Sequence, residues 1–160
     1  MLTGYLIQGN NAMTTPPAST NYCVMRDLPV FQRGGSDPRQ IADLEVPTAV
    51  LAFKEQFYRG YTLLVLNHHA VELFDLDQAI RQKFVEDANH MAESLNKTFQ
   101  PLKMNLCLLG NTLRHIHWHL IHRRETDPDP KWPVWKFPFP DVQLSDEEFQ
   151  QMAHDIRSNL

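Results

Sequence analysis

The 160-residue chain contains little cysteine, and its two cysteines, Cys23 and Cys107, form no CxxC pair. This argues against a disulfide framework and a cysteine-based zinc site, and we expect a protein of the reducing cytoplasm. Long apolar runs are missing as well, so we expect no membrane-spanning helix. The N-terminal stretch lacks a basic segment followed by an apolar one, so we expect no secretory signal.

An excess of positive charge is also absent, because the formal net charge is −4. This argues against a broad nucleic-acid-binding surface. The apolar content of 42% and the charged content of 21% are ordinary for a soluble globular protein. The length indicates one domain with a real core, and the chain has no internal repeats.

Against this plain background, one stretch of histidines stands out. His115, His117 and His119 alternate with large apolar residues inside a single apolar run. Alternation with a period of two is strand geometry, so all three imidazoles should leave the same face of a sheet. The residues between them should then point into a core. A functional site is the better explanation of such a row than a chance cluster on a solvated strand.

The rest of the pattern predicts strands around one long helix. Residues 22–31 suggest a short strand or an ordered edge segment, and strands are expected over 47–53, 61–66, 104–109 and 113–121. Apolar residues at helical spacing predict an amphipathic helix over 75–99, which Pro101 ends. Ser145 and Glu148 form a capping-box pattern that opens a C-terminal helix. This order favours an α+β fold with an antiparallel sheet.

Three segments are expected along the chain. Residues 1–20, rich in small and polar residues, should form a flexible arm. Residues 21–140 should form the main domain, and 141–160 a C-terminal helix packed on it. Residues 127–140 are rich in proline and tryptophan and should wrap the surface.

The histidine row is compatible with several chemistries: metal ligation, acid–base catalysis, nucleophilic attack and anion binding. Histidines two apart on a strand could share one metal, although the strand offers no carboxylate ligand. In a nucleophilic mechanism, His117 would attack a phosphoryl group with His115 and His119 as supports. The small polar turn at residues 110–112 could approach the phosphate closely.

The sequence LGNTLRHIHWHLIHRR, at residues 109–124, resembles the signature of the histidine triad (HIT) superfamily of nucleotide hydrolases and transferases. That signature is His-φ-His-φ-His-φ-φ, where φ is apolar. Three further segments are similar to the bacterial diadenosine-polyphosphate-hydrolase-like branch: GYTLLVLNHHAVELFDLD at 60–77, MNLCLLGN at 104–111 and PVW at 133–135. The resemblance covers about residues 40–140.

The resemblance implies an α+β fold with a five-stranded antiparallel sheet, a long helix and pairing of two protomers into a ten-stranded sheet. It implies that His117 attacks the α-phosphate of a nucleotide or nucleotide conjugate and forms a covalent nucleotidyl intermediate that water then hydrolyses. His115 would hold His117, and no metal or other cofactor is expected for this chemistry. The expected nucleotide-binding residues are Asn105, Gly110, Asn111, Thr112 and His69, although His69 could equally be a capping or interface residue.

Some positions depart from the branch pattern. Arg114, His122 and Arg59 stand where prolines are usual, and Glu55 lies near a position often held by a ribose-contacting aspartate. Arg114 and Arg59 would add positive charge that suits a highly phosphorylated ligand.

Three functions remain open from the sequence. The first is a nucleotide phosphohydrolase or nucleotidyl transferase that uses His117. The second is a non-catalytic nucleotide-binding protein, and the third is a metallohydrolase with the three histidines as ligands.

Overall fold

A five-stranded antiparallel sheet is the framework of the protein, with the strand order β1-β2-β3-β5-β4. The computed structural model describes residues 23–160. Its strands are β1 (Gln40–Asp43), β2 (Pro47–Leu51), β3 (Thr62–Leu66), β4 (Lys103–Leu108) and β5 (His117–Arg123). The α+β class and the five-stranded sheet are therefore confirmed. The expected arm at residues 1–20 lies outside the described residues.

The central strands are buried on both faces, because different layers cover the two sides of the sheet. Every residue of β2 and β3 is buried, as expected for apolar strands with both faces covered. The helix face of the sheet packs against α2 (Gln78–Phe99) and α3 (Asp146–Arg157). The opposite face, which we call the triad face, is covered by α1 (Val24–Asp27) and by loops.

The long helix α2 follows from its apolar spacing. Phe84, Ala88, Met91 and Leu95 form its buried stripe. The helix begins at Gln78, later than predicted, because Leu73–Asp75 forms a separate 3-10 turn. It ends at Phe99, where Gln100 adopts a left-handed conformation before Pro101.

The C-terminal helix α3 begins as its sequence predicts. Ser145 accepts a hydrogen bond from the Glu148 backbone amide, and the Glu148 carboxylate accepts one from the Ser145 amide. Phe149, Met152 and Ile156 are buried in the core cluster shared with α2 and the sheet. No helix among residues 23–160 is long and apolar enough to cross a membrane.

Two local features differ from the sequence prediction. Residues 22–31 were expected to form a short strand or an ordered edge segment. Where the structure describes them they are ordered but not a strand, because the Asp27 carboxylate accepts a hydrogen bond from the Cys23 amide and closes the helical turn α1. Pro29 then starts a 3-10 turn, Pro29–Phe31, which packs against the triad face. The strand β1 was missed, since it is four residues long and at the sheet edge.

Candidate active site

The strand β5 presents its histidines on the triad face and its large apolar residues on the helix face. Trp118 and Leu120 pack with the helix-face core, while the rings of His117 and His119 lie next to each other, with centroids 4.7 Å apart. The predicted alternation is therefore present. The strand begins at His117 rather than at residue 113, and it continues to Arg123.

The protonation of His117 is set by a backbone carbonyl. His117 Nδ1 lies 2.6 Å from the His115 carbonyl oxygen. Because a carbonyl only accepts, Nδ1 must carry the proton, and Nε2 then keeps a lone pair. Burial lowers the pKa of His117, although the bond to the carbonyl opposes this shift. The ring is thus neutral near pH 7 with a free nucleophilic nitrogen.

His119 is oriented by a phenol rather than by the backbone. Its Nδ1 lies 2.8 Å from Tyr61 Oη, where Tyr61 is the residue just before β3. Burial lowers the pKa of His119 to about 3, and the neighbouring His117 adds to the shift. Trp135 approaches the same ring at 83°, with centroids 5.6 Å apart. Sequence reasoning did not assign a site role to Tyr61 or Trp135.

His115 is fully buried at the approach to β5, and it makes contacts on both ring nitrogens. Its Nε2–H donates to the Leu66 carbonyl over 2.8 Å. Its Nδ1 therefore has a lone pair, which faces Cys23 Sγ at 3.2 Å and His69 Nδ1 at 3.3 Å. Burial lowers the pKa of His115 to about 4, partly offset by the bond to Leu66.

These contacts bring together a candidate metal centre that the sequence did not indicate. The ligand atoms of Cys23, His69 and His115 all lie within 4.8 Å of one another, and this is the only such group of three in residues 23–160. The 3.3 Å separation of the two imidazole nitrogens suits two ligands of one zinc ion at about 2.0–2.1 Å each. His115, His117 and His119 do not form such a group, so the three-histidine metallohydrolase is not supported.

The predicted phosphate turn follows the edge strand β4 directly. Gly110 has a φ of +133°, a conformation that side-chain-bearing residues rarely adopt, which explains a glycine there. Asn111 and Thr112 are exposed, as is Arg114. Six residues, 109–114, connect the end of β4 to His115.

On β4, two half-buried side chains border the triad. Cys107 is paired with His119, and Asn105 with Ile121, so both belong to the triad face. Asn105 is therefore two residues farther along β4 from the position opposite His119 than Cys107 is. Burial raises the pKa of the Cys107 thiol, which keeps it protonated.

The other positions that depart from the branch pattern and are not near the phosphate turn are His122, Arg59 and Glu55. His122 is on the helix face, where it stacks on Phe99 with ring centroids 4.3 Å apart. Gly60 lies against both rings, and an added Cβ there would be 2.7 Å from Phe99. Arg59 lies 3.9 Å from Glu148 of α3, so its charge is partly matched there. Glu55 is buried in a bridge to Val142, and burial raises its pKa.

A cavity of about 400 Å³ lies elsewhere, between β1 and α3. Since β2 and β3 separate β1 from β5 in the sheet, this cavity does not belong to the histidine site.

Comparison with known proteins identifies the family. The HIT domain profile matches residues 45–126, which include all three histidines of the row. The chain belongs to the HIT family. A histidine triad protein from Sinorhizobium meliloti 1021 is 30% identical, with a TM-score of 0.69 over 76% of this chain and 88% of that chain.

Two further solved structures extend the comparison. A histidine triad protein from Bradyrhizobium japonicum is 26% identical, with a TM-score of 0.67 over 75% of this chain and 88% of that one. The diadenosine triphosphate hydrolase of Plasmodium falciparum, solved with cyclomarin A, is 19% identical. Its TM-score of 0.61, over 80% of each chain, reflects a shared fold. No curated protein matches the chain.

Proposed function

We propose that this HIT protein is a nucleotide hydrolase or nucleotidyl transferase in which His117 is the nucleophile. The observation that carries the proposal is the hydrogen bond from His117 Nδ1–H to the His115 carbonyl. It leaves Nε2 unprotonated and fixes the ring plane, as a nucleophilic imidazole requires. Its substrates are dinucleoside polyphosphates or other nucleotide conjugates.

In the first step, the lone pair of His117 Nε2 forms a bond to the α-phosphorus. The bond from phosphorus to the leaving atom breaks, and that atom, an oxygen in a polyphosphate or a nitrogen in a phosphoramidate, takes the electron pair. The imidazole ring becomes cationic in the intermediate, and the His115 carbonyl stabilises it by accepting the Nδ1–H bond.

In the second step, water attacks the phosphorus in the hydrolase reaction, or another acceptor attacks in a transferase. The phosphorus–nitrogen bond breaks and its electron pair returns to His117 Nε2, while the attacking water or acceptor loses one proton to solvent. A nucleoside monophosphate is the hydrolysis product. With Tyr61 Oη–H donating to His119 Nδ1, His119 Nε2 carries a proton and can donate to a phosphate oxygen.

A product screen tests this proposal. Wild-type protein is incubated with diadenosine tri- and tetraphosphate and adenosine 5′-phosphoramidate, and AMP release is measured by mass spectrometry. We expect turnover of at least one substrate and its loss in His117→Ala. His154→Ala is the matched control, because His154 is an exposed histidine on α3. Saturable AMP binding without turnover would instead favour the non-catalytic nucleotide-binding function.

A structural zinc ion at Cys23, His69 and His115 is a second proposal, separate from the phosphoryl chemistry. A soft divalent metal there would fix His115, whose other nitrogen already donates to the Leu66 carbonyl. We expect about one zinc per chain in the purified protein and its loss in Cys23→Ser, with Cys107→Ser as the matched control. A metal-free wild-type protein would contradict this.

A homodimer is the proposed assembly. β4 pairs only with β5 among the described strands, so its other edge is open, and its residues are only half buried or exposed. Pairing of two β4 strands would remove this edge and give a ten-stranded sheet. Light scattering at several protein concentrations tests it, and a mass of one chain throughout would contradict it.

A further inference from the structure

Aromatic side chains are concentrated in the segment that follows the triad strand. Six large apolar residues are exposed among residues 23–160, and three of them are Trp132, Trp135 and Phe137. Exposed aromatic rings that lie together are typical of a contact surface for a ligand or partner. The segment is therefore a candidate for substrate recognition.

The segment is held in place by β5 itself. The buried Arg123 guanidinium donates to Asp127 over 3.1 Å and to the Trp132 carbonyl over 2.6 Å. Two residues farther on, Val134 is buried in the core of the triad face. Because Arg123 is on the same strand as His119, this anchor fixes the segment relative to the histidine row.

The two tryptophans of this segment have different neighbours. The Trp135 ring contacts His119 edge to face, with centroids 5.6 Å apart. The Trp132 ring instead faces Lys136, whose ammonium nitrogen lies 3.1 Å from the ring centroid. Trp135 thus lies beside the reacting histidines, whereas one face of the Trp132 ring is covered by the Lys136 ammonium group.

We propose that Trp135 determines substrate specificity by stacking on a nucleobase of the substrate. This proposal rests on the proposed function. A tryptophan ring next to His119 offers a planar apolar surface within reach of a group attached to a phosphate at His117. Base–aromatic stacking is tolerant of base identity, so Trp135 selects for substrates that carry a base at this place rather than for one particular base.

The test compares Trp135→Ala with Trp135→Phe and with the matched control Trp132→Ala. The substrates are diadenosine tetraphosphate, which carries a base on each side of the cleaved bond, and adenosine 5′-phosphoramidate, which carries a base only on the retained side. We expect Trp135→Ala to lower kcat/KM by about tenfold or more, mainly through KM, the size typical of lost base stacking. Trp135→Phe should retain most of the activity.

The substrate pattern identifies which base is bound. If kcat/KM of Trp135→Ala falls only with diadenosine tetraphosphate, Trp135 stacks on the base of the departing nucleoside. If it falls with both substrates, Trp135 stacks on the base of the retained nucleoside. Unchanged kcat/KM for both substrates overturns the proposal. An equal loss in Trp132→Ala also overturns it, since that would indicate general loosening of the segment.

Equilibrium binding separates this proposal from the proposed function. If no substrate is turned over, tryptophan fluorescence is measured during titration with AMP and with diadenosine tetraphosphate. Quenching that is lost in Trp135→Phe and kept in Trp132→Phe supports stacking in a protein without hydrolase activity. A wild-type protein that neither turns over nor binds these nucleotides overturns both proposals.

Discussion

At the scale of single residues, His117 and His119 differ in what holds them. A backbone carbonyl orients His117, so no side-chain substitution removes its partner directly. His119 instead depends on the Tyr61 hydroxyl. The support of His119 can therefore be removed by deleting one oxygen atom.

Tyr61→Phe should lower kcat by about tenfold, because one hydrogen bond of roughly 1.4 kcal/mol that orients His119 is lost. The measurement is steady-state kinetics of AMP release. Tyr58→Phe is the matched control, since Tyr58 is also buried near β3 but contacts Arg123. An equal effect of both substitutions would contradict the role of Tyr61.

The alternation along the sequence predicted that the triad histidines share one face of the sheet. The partners of these histidines were not predictable in the same way. Cys23 and His115 are 92 positions apart, and their contact depends on where α1 packs. Periodicity along one strand carries no information about such long-range neighbours.

At the scale of elements, β5 connects the reacting residues to the loop beyond them. Arg123 follows Ile121 by two residues, so both lie on the triad face of β5. The Arg123 guanidinium forms a buried ion pair with the Asp127 carboxylate. Asp127 also pairs with Arg124, whose side chain is 42% exposed. The two arginines thus share one carboxylate but differ in burial.

Arg123→Met should cost about 3 kcal/mol in the free energy of unfolding, because it removes one partner of a buried charge pair. Arg124→Met should cost less than about 1 kcal/mol, as is typical for an exposed pair. Urea unfolding of the two variants measures both values. If the two substitutions lowered the free energy of unfolding equally, the claim that burial makes the Arg123–Asp127 pair more important than the Arg124–Asp127 pair would be contradicted.

Elements with strong local signals were predicted, and weak ones were not. α2 carries a regular apolar stripe and α3 a capping box, so both were found within a few residues. For residues 22–31 the sequence left a strand and an ordered edge segment open, because their apolar content does not reveal the Asp27 hydrogen bond that closes α1. The five-strand count came from the family resemblance rather than from the short, polar β1.

At the scale of the whole molecule, buried neutral histidines make the fold sensitive to acid. Burial lowers the pKa of His122 to about 4, and the charge of Arg124 adds to this shift while Asp127 opposes it. The unfolded chain has a histidine pKa of about 6.5. The unfolded state therefore binds the proton more readily, and stability is full above about pH 6.5 and falls as the pH drops towards 4.

His122→Phe should reduce this loss of stability by an amount of order 3 kcal/mol between pH 6.5 and pH 4, since the ring stack on Phe99 remains but the titrating group is gone. Urea unfolding at several pH values measures the slope. His90→Gln is the control, because His90 is exposed on α2. If the free energy of unfolding of His122→Phe fell with pH as steeply as that of the wild type, the assignment of this loss to His122 would be contradicted.

The central claim, that His117 forms a covalent intermediate, is tested most directly by rapid quench of a single turnover with diadenosine tetraphosphate. The reaction is stopped in alkaline denaturant, and the digested protein is analysed by mass spectrometry. We predict one adenylyl group on the peptide that contains His117, present early and lost as AMP appears. AMP formation without such an adduct, or with the adduct on another residue, would contradict the account.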